Sequence, residues 1–347
     1  MNLQTDILRN NADYDRVTPE SIINQCKIKK MAKPLSHFFL YATTLASLNS
    51  CTEQAVAEYP EDIHHVIVIG VDGLSPDGIK KADTPVLDSL IEHGAVSWKV
   101  RTVLPSASSQ NWAAMIMGAG PEVHGIINND WKIDDHSLPP VISEKDGRFP
   151  TIFSILHQQR PEAEIGVVHH WKDFGRLYQK DAVHFDKHFT TEDSATTAFA
   201  DYIVASKPTL AFLHLDHVDH AGHHDGHGSE IYYKSVSKTD SLIGKVMNSI
   251  RAAGITDNTL VVITSDHGGK NKGHGGATLE EAEIALILTG KNIKKGYEPK
   301  QQVYMYDLVA TIAFSLGLKQ PYAWTGRPTK AAFEGFEEPE NLYLGGQ

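Results

Sequence analysis

Three apolar runs of strand length, each ending on an acidic residue, constrain this chain more than any other feature. His64-His-Val-Ile-Val-Ile-Gly-Val leads into Asp72, Thr209-Leu-Ala-Phe-Leu-His-Leu into Asp216, and Asn258-Thr-Leu-Val-Val-Ile-Thr-Ser into Asp266. Continuous β-branched and apolar runs of this kind read as strands covered on both faces, which is the habit of parallel strands in α/β proteins. The carboxyl edge of such a sheet is where ligands bind.

Helical patterns separate the strands. Thr84 to Gly94 has Thr at the cap, Pro at the first helical position and Gly at the end. Ser108 to Gly118, Thr151 to Gln159, Glu192 to Ser206, Ser229 to Ala253 and Tyr306 to Leu316 are further helical stretches, the last two followed by Gly254 and Gly317. Ala95 to Val103, Ile165 to His169 and Ile284 to Leu288 complete the strands, and Pro121 to Gly125 is a turn. The expected fold is α/β, a doubly wound, mostly parallel central sheet with helices on both faces, formed by a single domain over 63–335. Asn128 to Arg148 is placed as a loop insertion near the site, and 336–347 as a tail.

A chain of 347 residues with 41% hydrophobic content and a mean hydropathy of -0.28 describes a soluble globular body. The formal net charge of -11 and pI near 5.9 argue against duplex nucleic-acid binding. Both cysteines, Cys26 and Cys51, precede the first strand, so disulfides and cysteine-zinc sites are excluded from the body.

The first residues follow a different logic. Residues 1–30 are polar and unpatterned, and are assigned to a disordered or mis-annotated extension. Met31 opens a short segment carrying Lys33, and Phe38 to Leu48 is apolar for the length of a signal-peptide core but too short to cross a bilayer. Leu48-Asn-Ser-Cys51 resembles a bacterial lipoprotein box. This reading makes 31–51 a signal peptide, Met31 the start, Cys51 a lipid-anchor site and 52–62 a tether, and it places the protein outside the cytoplasm, in the periplasm or on the cell surface. The competing reading is a buried helix near the terminus.

The chemistry concentrates in Leu213 to Gly228, LHLDHVDHAGHHDGHG, with six histidines and three aspartates. Imidazole and carboxylate are ligands for zinc and its first-row neighbours. Carboxylates at three strand ends carry a desolvation cost unless paired or metal-bound, and a dimetal centre satisfies all of them. His267 follows Asp266, and Lys270-Asn-Lys-Gly-His274-Gly-Gly adds a histidine in a loop where backbone can approach a ligand. Ser108 opens an apolar helix, where the dipole favours anions; taken alone it reads as an N-cap. The histidines, taken alone, also fit a surface tract that sequesters metal.

Val71-Asp72-Gly, Ser108-Ser-Gln-Asn111, Pro121-Glu-Val-His-Gly-Ile, Asp219-His-Ala-Gly-His223, Ser265-Asp266-His267-Gly and Gly273-His274-Gly resemble, in order, the motif series of the alkaline phosphatase superfamily, and most of all its nucleotide pyrophosphatase/phosphodiesterase family. The resemblance covers roughly residues 64 to 330. It implies two zinc ions, one held by Asp72, Asp266, His267 and the nucleophile, the other by Asp219, His223 and His274. It selects Asp219 and His223 over Asp216 and His220, which periodicity leaves open. It makes Ser108 the nucleophile, where the family commonly has threonine, in preference to Ser106 and Ser109, and makes Asn111 the catalytic and substrate-binding side chain that holds non-bridging phosphate oxygens beside it.

The function implied is hydrolysis of phosphate esters as a phosphodiesterase or nucleotide pyrophosphatase, through a phosphoserine intermediate. Its substrate is a small phosphate ester or a nucleotide. Trp112 and Lys172 are the candidate substrate contacts, with Arg176, Trp131 and Trp171 as neighbours of the same kind. A phosphomonoesterase on the same scaffold is the alternative, and a zinc-sequestering surface lipoprotein is the alternative from another class. No Cys/Ser-x-Pro-x-Arg pattern surrounds Ser108, which disfavours a sulfatase.

Overall fold

The computed structural model describes residues 58–134 and 137–339. The expected signal segment, the lipoprotein box, the tether up to residue 57 and the chain from 340 on lie outside the described residues.

One sheet of seven strands runs in the order β2-β7-β6-β1-β5-β3-β4. Its strands are β1 (His65–Val71), β2 (Gly94–Arg101), β3 (Ile165–His169), β4 (Phe185–His188), β5 (Leu210–Leu215), β6 (Thr259–Thr264) and β7 (Glu283–Gly290). β1 pairs in parallel with β5 and β6, β3 in parallel with β4 and β5, and β7 lies antiparallel to both β6 and β2. The helices are α1 (Pro76–Lys81), α2 (Pro85–Glu92), α3 (Ser108–Met117), α4 (Pro121–His124), α5 (Ile152–Gln159), α6 (Glu192–Ser206), α7 (His217–Asp225), α8 (Glu230–Ala253), α9 (Leu279–Ala282) and α10 (Asp307–Ser315).

The alternation of side chains along β1 explains why no period-2 polarity marks it. Val66 and Val68 enter a core with Trp112, Phe153 and Val309 of α3, α5 and α10. Ile67, Ile69 and Val71 enter the opposite core with Leu87, Phe199 and Ile243 of α2, α6 and α8. Both faces are covered, so both must be apolar. The expected doubly wound, mostly parallel sheet with helices on both faces is therefore the observed one.

Some local expectations are corrected. Gly94 does not close α2 with a left-handed cap; it opens β2, where a Cβ would sit 2.3 Å from the Leu288 carbonyl oxygen. The turn at Pro121 is a short helix closed by Gly125 in the left-handed region. Beyond Asp216 the chain is helical, so Asp219 and His223 are four residues apart on α7 and share a face. Phe336, assigned to a tail, packs on Phe314 with ring centroids 5.0 Å apart.

Candidate metal centre

The carboxyl ends of β1, β5 and β6 lie side by side, because these three strands are consecutive neighbours in the sheet. Asp72 follows β1 directly, Asp266 and His267 follow β6 by two and three residues, and α7 starts two residues beyond β5. Gly73, with φ +69°, turns the chain away, and a Cβ there would meet Asp219 at 2.8 Å. The glycine thus lets the end of β1 come close to α7.

Two trios form at this edge. Asp72, Asp266 and His267 are all buried, and one ligand atom from each lies within 4.8 Å of the others; Asp219, His223 and His274 make a second such trio, only partly buried. His267 Nε2 stands 3.3 Å from Asp72 Oδ1, 3.2 Å from Asp266 Oδ2 and 3.3 Å from Ser108 Oγ. In the second trio His223 Nε2 is 3.2 Å and His274 Nε2 3.9 Å from Asp219 Oδ2. The rings of His267 and His274, one from each trio, stack at 3.6 Å.

The backbone orients all three imidazoles. Nδ1 of His267 is 2.7 Å from the Gly268 carbonyl, Nδ1 of His274 is 3.0 Å from that of Ser106, and Nδ1 of His223 is 2.9 Å from that of Lys272. An Nδ1–H donated to a carbonyl turns Nε2 toward carboxylate oxygens in each case, where it can offer its lone pair to a metal once it carries no proton. Around neutral His267 electron-rich atoms face one another, and between His223 and Asp219 a proton holds the place a cation would take; both are donor sets that suit a cation. Asp72 Oδ1, Asp266 Oδ2 and Asp219 Oδ1 are buried without a hydrogen-bond partner, as that reading requires. Two carboxylates, three imidazoles and a further carboxylate fit zinc or a first-row neighbour.

The electrostatics separate the trios. Burial, followed by the charges of Asp266 and Asp219, pushes the Asp72 carboxyl well above its ordinary range. Burial and Asp219 do the same to Asp266. Burial, followed by the charge of His274, lowers His267 to about 3, so it is neutral. At Asp219 burial pushes upward, but the His223 hydrogen bond and the neighbouring imidazoles bring the carboxyl down to about 2. The same hydrogen bond raises His223 to about 9.

Ser108 occupies the first position of α3, not the cap, which is Ala107 without a side-chain bond. Its hydroxyl is therefore free of capping and faces His267. Three other expected site residues are placed elsewhere. Asn111 is fully buried, its Oδ1 accepting from Val103 N at 2.9 Å and its Nδ2 donating to the Ala107 carbonyl at 2.9 Å and the Pro105 carbonyl at 3.4 Å; it ties down the turn before α3, and both its amide hydrogens are taken. Trp112 is also fully buried; no base can stack on it, and its indole Nε1 donates to Asp72 Oδ2 at 3.1 Å. Gly70 makes room for that ring, since a Cβ there would meet it at 2.6 Å. Lys172 is exposed and takes no hydrogen bond or ion pair with either trio among the described residues. Arg176, on the same 3-10 segment, reaches Ser109 Oγ at 3.1 Å and the Asn129 carbonyl. Of the other tryptophans considered for substrate contact, Trp131 is buried in the core and Trp171 packs against it.

The structure adds residues that the linear reading missed. Asn129, exposed and distant along the chain, accepts from Ser109 N at 2.9 Å through Oδ1, which puts its amide at the start of α3. His214 is buried with Nε2 3.5 Å from Asp72 Oδ2, and His227 Nε2 lies 3.7 Å from Asp219 Oδ1. No local pattern distinguishes them from exposed His220 and His224.

Comparison with known proteins agrees with this geometry. Mouse bis(5'-adenosyl)-triphosphatase is 23% identical over 274 residues, which cover 70% of this chain and 60% of that protein. The chain spans about half the length of the curated relatives it matches. The structure of human ectonucleotide pyrophosphatase/phosphodiesterase 5 superimposes with a TM-score of 0.65 at 15% identity, over 78% of this chain and 100% of that one. The alkaline phosphatase PafA, solved as a mutant, gives 0.62 at 12% identity over 80% and 100% of the two chains. At these identities the two structures share the fold. The sequence model of type I phosphodiesterase / nucleotide pyrophosphatase matches residues 66–281, a span that contains both trios and Ser108, and the chain therefore belongs to that family.

Proposed function

We propose that the protein hydrolyses phosphate esters in a metal-dependent reaction, as a phosphodiesterase or nucleotide pyrophosphatase with Ser108 as nucleophile. The observation that carries this reading is the Ser108 hydroxyl, uncapped at the start of α3 and 3.3 Å from His267 Nε2, beside two buried aspartates with unpartnered oxygens. In this reading Asp72, Asp266, His267 and Ser108 hold one zinc, and Asp219, His223 and His274 hold a second. Bound zinc supplies positive charge that favours a serine alkoxide and stabilises the departing oxygen. Ser108 Oγ then bonds to phosphorus as the ester P–O bond breaks, and water later cleaves the phosphoserine.

Charge building on the non-bridging oxygens meets the first amides of α3 and the Asn129 amide, the position first given to Asn111. Nucleotides head the substrate class, in keeping with a relative named as a dinucleoside triphosphatase. Arg176 supports the second reading, a phosphomonoesterase. A guanidinium beside Ser109 matches the extra charge of a monoester dianion.

The reading includes export and lipid attachment at Cys51; among the described residues no helix is long and apolar enough to cross a membrane. Palmitate labelling of the expressed chain, lost in Cys51→Ala, tests the anchor. For the reaction, zinc-loaded protein is assayed on bis-p-nitrophenyl phosphate, p-nitrophenyl phosphate and nucleotides. Ser108→Ala should lose turnover by on the order of 10⁴-fold while retaining its zinc. Full activity in that variant overturns the assignment, and faster hydrolysis of the monoester favours the second reading.

A further inference from the structure

A third cluster of ligand-type side chains lies outside both trios. His170 follows β3, Glu192 is the first residue of α6 and His217 the first of α7, and one ligand atom from each lies within 4.8 Å of the others. His217 and Asp219 are two residues apart on one helix, a rotation of roughly 200°, so they project from opposite sides of α7. The cluster therefore faces away from the candidate metal centre.

His217 supplies the second observation. Its Nε2 is 2.9 Å from Thr239 Oγ1, and that hydroxyl donates its own proton to the Ser235 carbonyl at 3.1 Å. Thr239 must then accept from Nε2–H, which leaves the lone pair on Nδ1. Nδ1 is buried and has no hydrogen-bond partner. A buried, unpartnered lone pair beside an imidazole and a carboxylate calls for a cation.

The other two members can supply the remaining ligands. Glu192 Oε1 takes an ion pair from Lys238 at 2.9 Å, and a carboxylate has a second oxygen to offer. His170 Nδ1 receives only a long bond from Asp216 N, 3.3 Å, a weak contact to exchange for coordination. All three residues are partly buried and none is sealed from solvent, so an ion can reach the cluster.

We propose that His170, Glu192 and His217 form a third divalent-cation site, of the two-imidazole, one-carboxylate kind that takes zinc, tying the end of β3 to the first turns of α6 and α7. Zinc at about 2.1 Å from each ligand needs them about 3.4 Å apart, so binding draws the cluster inward. The site does not depend on the reaction proposed above, because its test compares metal content between variants.

The full chain is stripped with a chelator, reloaded with zinc, freed of excess metal and analysed for zinc per protein, alongside His170→Ala and Glu192→Gln. Each variant should hold one zinc equivalent fewer than the unsubstituted chain, whatever number the other sites retain. Equal zinc content in all three proteins overturns the proposal. Anomalous diffraction at the zinc edge from zinc-loaded crystals of the unsubstituted chain decides independently of variant folding. A peak among the three side chains supports the site, and a peak at the trios with none there overturns it.

Discussion

The two trios use the same chemical groups in opposite electrostatic states. Asp72, Asp266 and His267 are buried at the ends of β1 and β6, with both carboxyls pushed well above their ordinary range and the imidazole neutral. Asp219, His223 and His274 sit on α7 and a glycine-rich loop, partly open to solvent, and Asp219 and His223 form an ion pair. The inner trio has no internal counter-charge, so like-charged groups burdened by desolvation wait for a cation. The outer trio neutralises itself with a proton on His223. If both trios hold metal as proposed, the inner set is the one whose stability depends on it, and the outer set is the one at which protons compete with it.

The largest effect should come from breaking the inner trio. Asp266→Asn is expected to lower phosphate-ester hydrolysis at least about 10³-fold, in line with losing a transition-state interaction. Metal-free Asp266→Asn should nonetheless melt higher than metal-free unsubstituted protein, because a buried like charge is gone, whereas Asp219→Asn should melt lower for want of its ion pair. Each kcal/mol gained or lost moves Tm by about 1–2 °C in a protein of this size. Calorimetry of the stripped proteins checks the signs, and equal signs would erase the contrast.

An intermediate effect is expected at Trp112. Its indole N–H fixes Asp72 Oδ2, and Trp112→Phe should weaken metal binding at the inner trio by about 10–100-fold while leaving the outer trio's affinity alone. Competition with a chromophoric chelator measures both. A uniform weakening would mean the two trios behave as one unit.

The smallest effect is in pH. His223 is raised to about 9 by Asp219, so in stripped protein its contribution is fully present below about pH 6.5 and fades as pH rises through about 9. Asp219, lowered to about 2, contributes above about pH 4 and loses that contribution as pH falls through about 2. Thermal melts of chelated protein should therefore decline from pH 6.5 to 9, and His223→Gln should flatten that decline. Over the same interval zinc affinity of the outer trio should rise, as the competing proton leaves.

Much of the fold was legible because its signals are local. β1, β3, β5 and β6 announce themselves as unbroken apolar runs, and α6 and α8 end within a residue of their sequence signals. β4, Phe185–His188, escaped notice because it is four residues long, polar and at the sheet edge, where no second apolar face is needed. The seven side chains expected to hold metal lie in five of the six short motifs, and the structure gathers them at one edge. Asn111, Trp112 and Lys172 went the other way. Proximity to Ser108 along the chain suggested substrate contact for Asn111 and Trp112, and a place just past the strand ending at His169 suggested it for Lys172, but a helix turns its residues through about 100° each, so neighbours in sequence face the core or the solvent as readily as the cleft.

By itself, the sequence determined the strand order of acids and histidines, the class of fold and the kind of ligand those side chains would hold, since each follows from short-range pattern and side-chain chemistry. Only the tertiary structure decided which of the many histidines converge. It set His214 beneath Asp72, turned His217 to a separate cluster with His170 and Glu192, and brought Asn129 to the start of α3. The physical reason is that β1, β5 and β6 are neighbours in space though far apart in sequence, so distances across the sheet edge are fixed by strand pairing and by the packing of α7 and not by spacing along the chain.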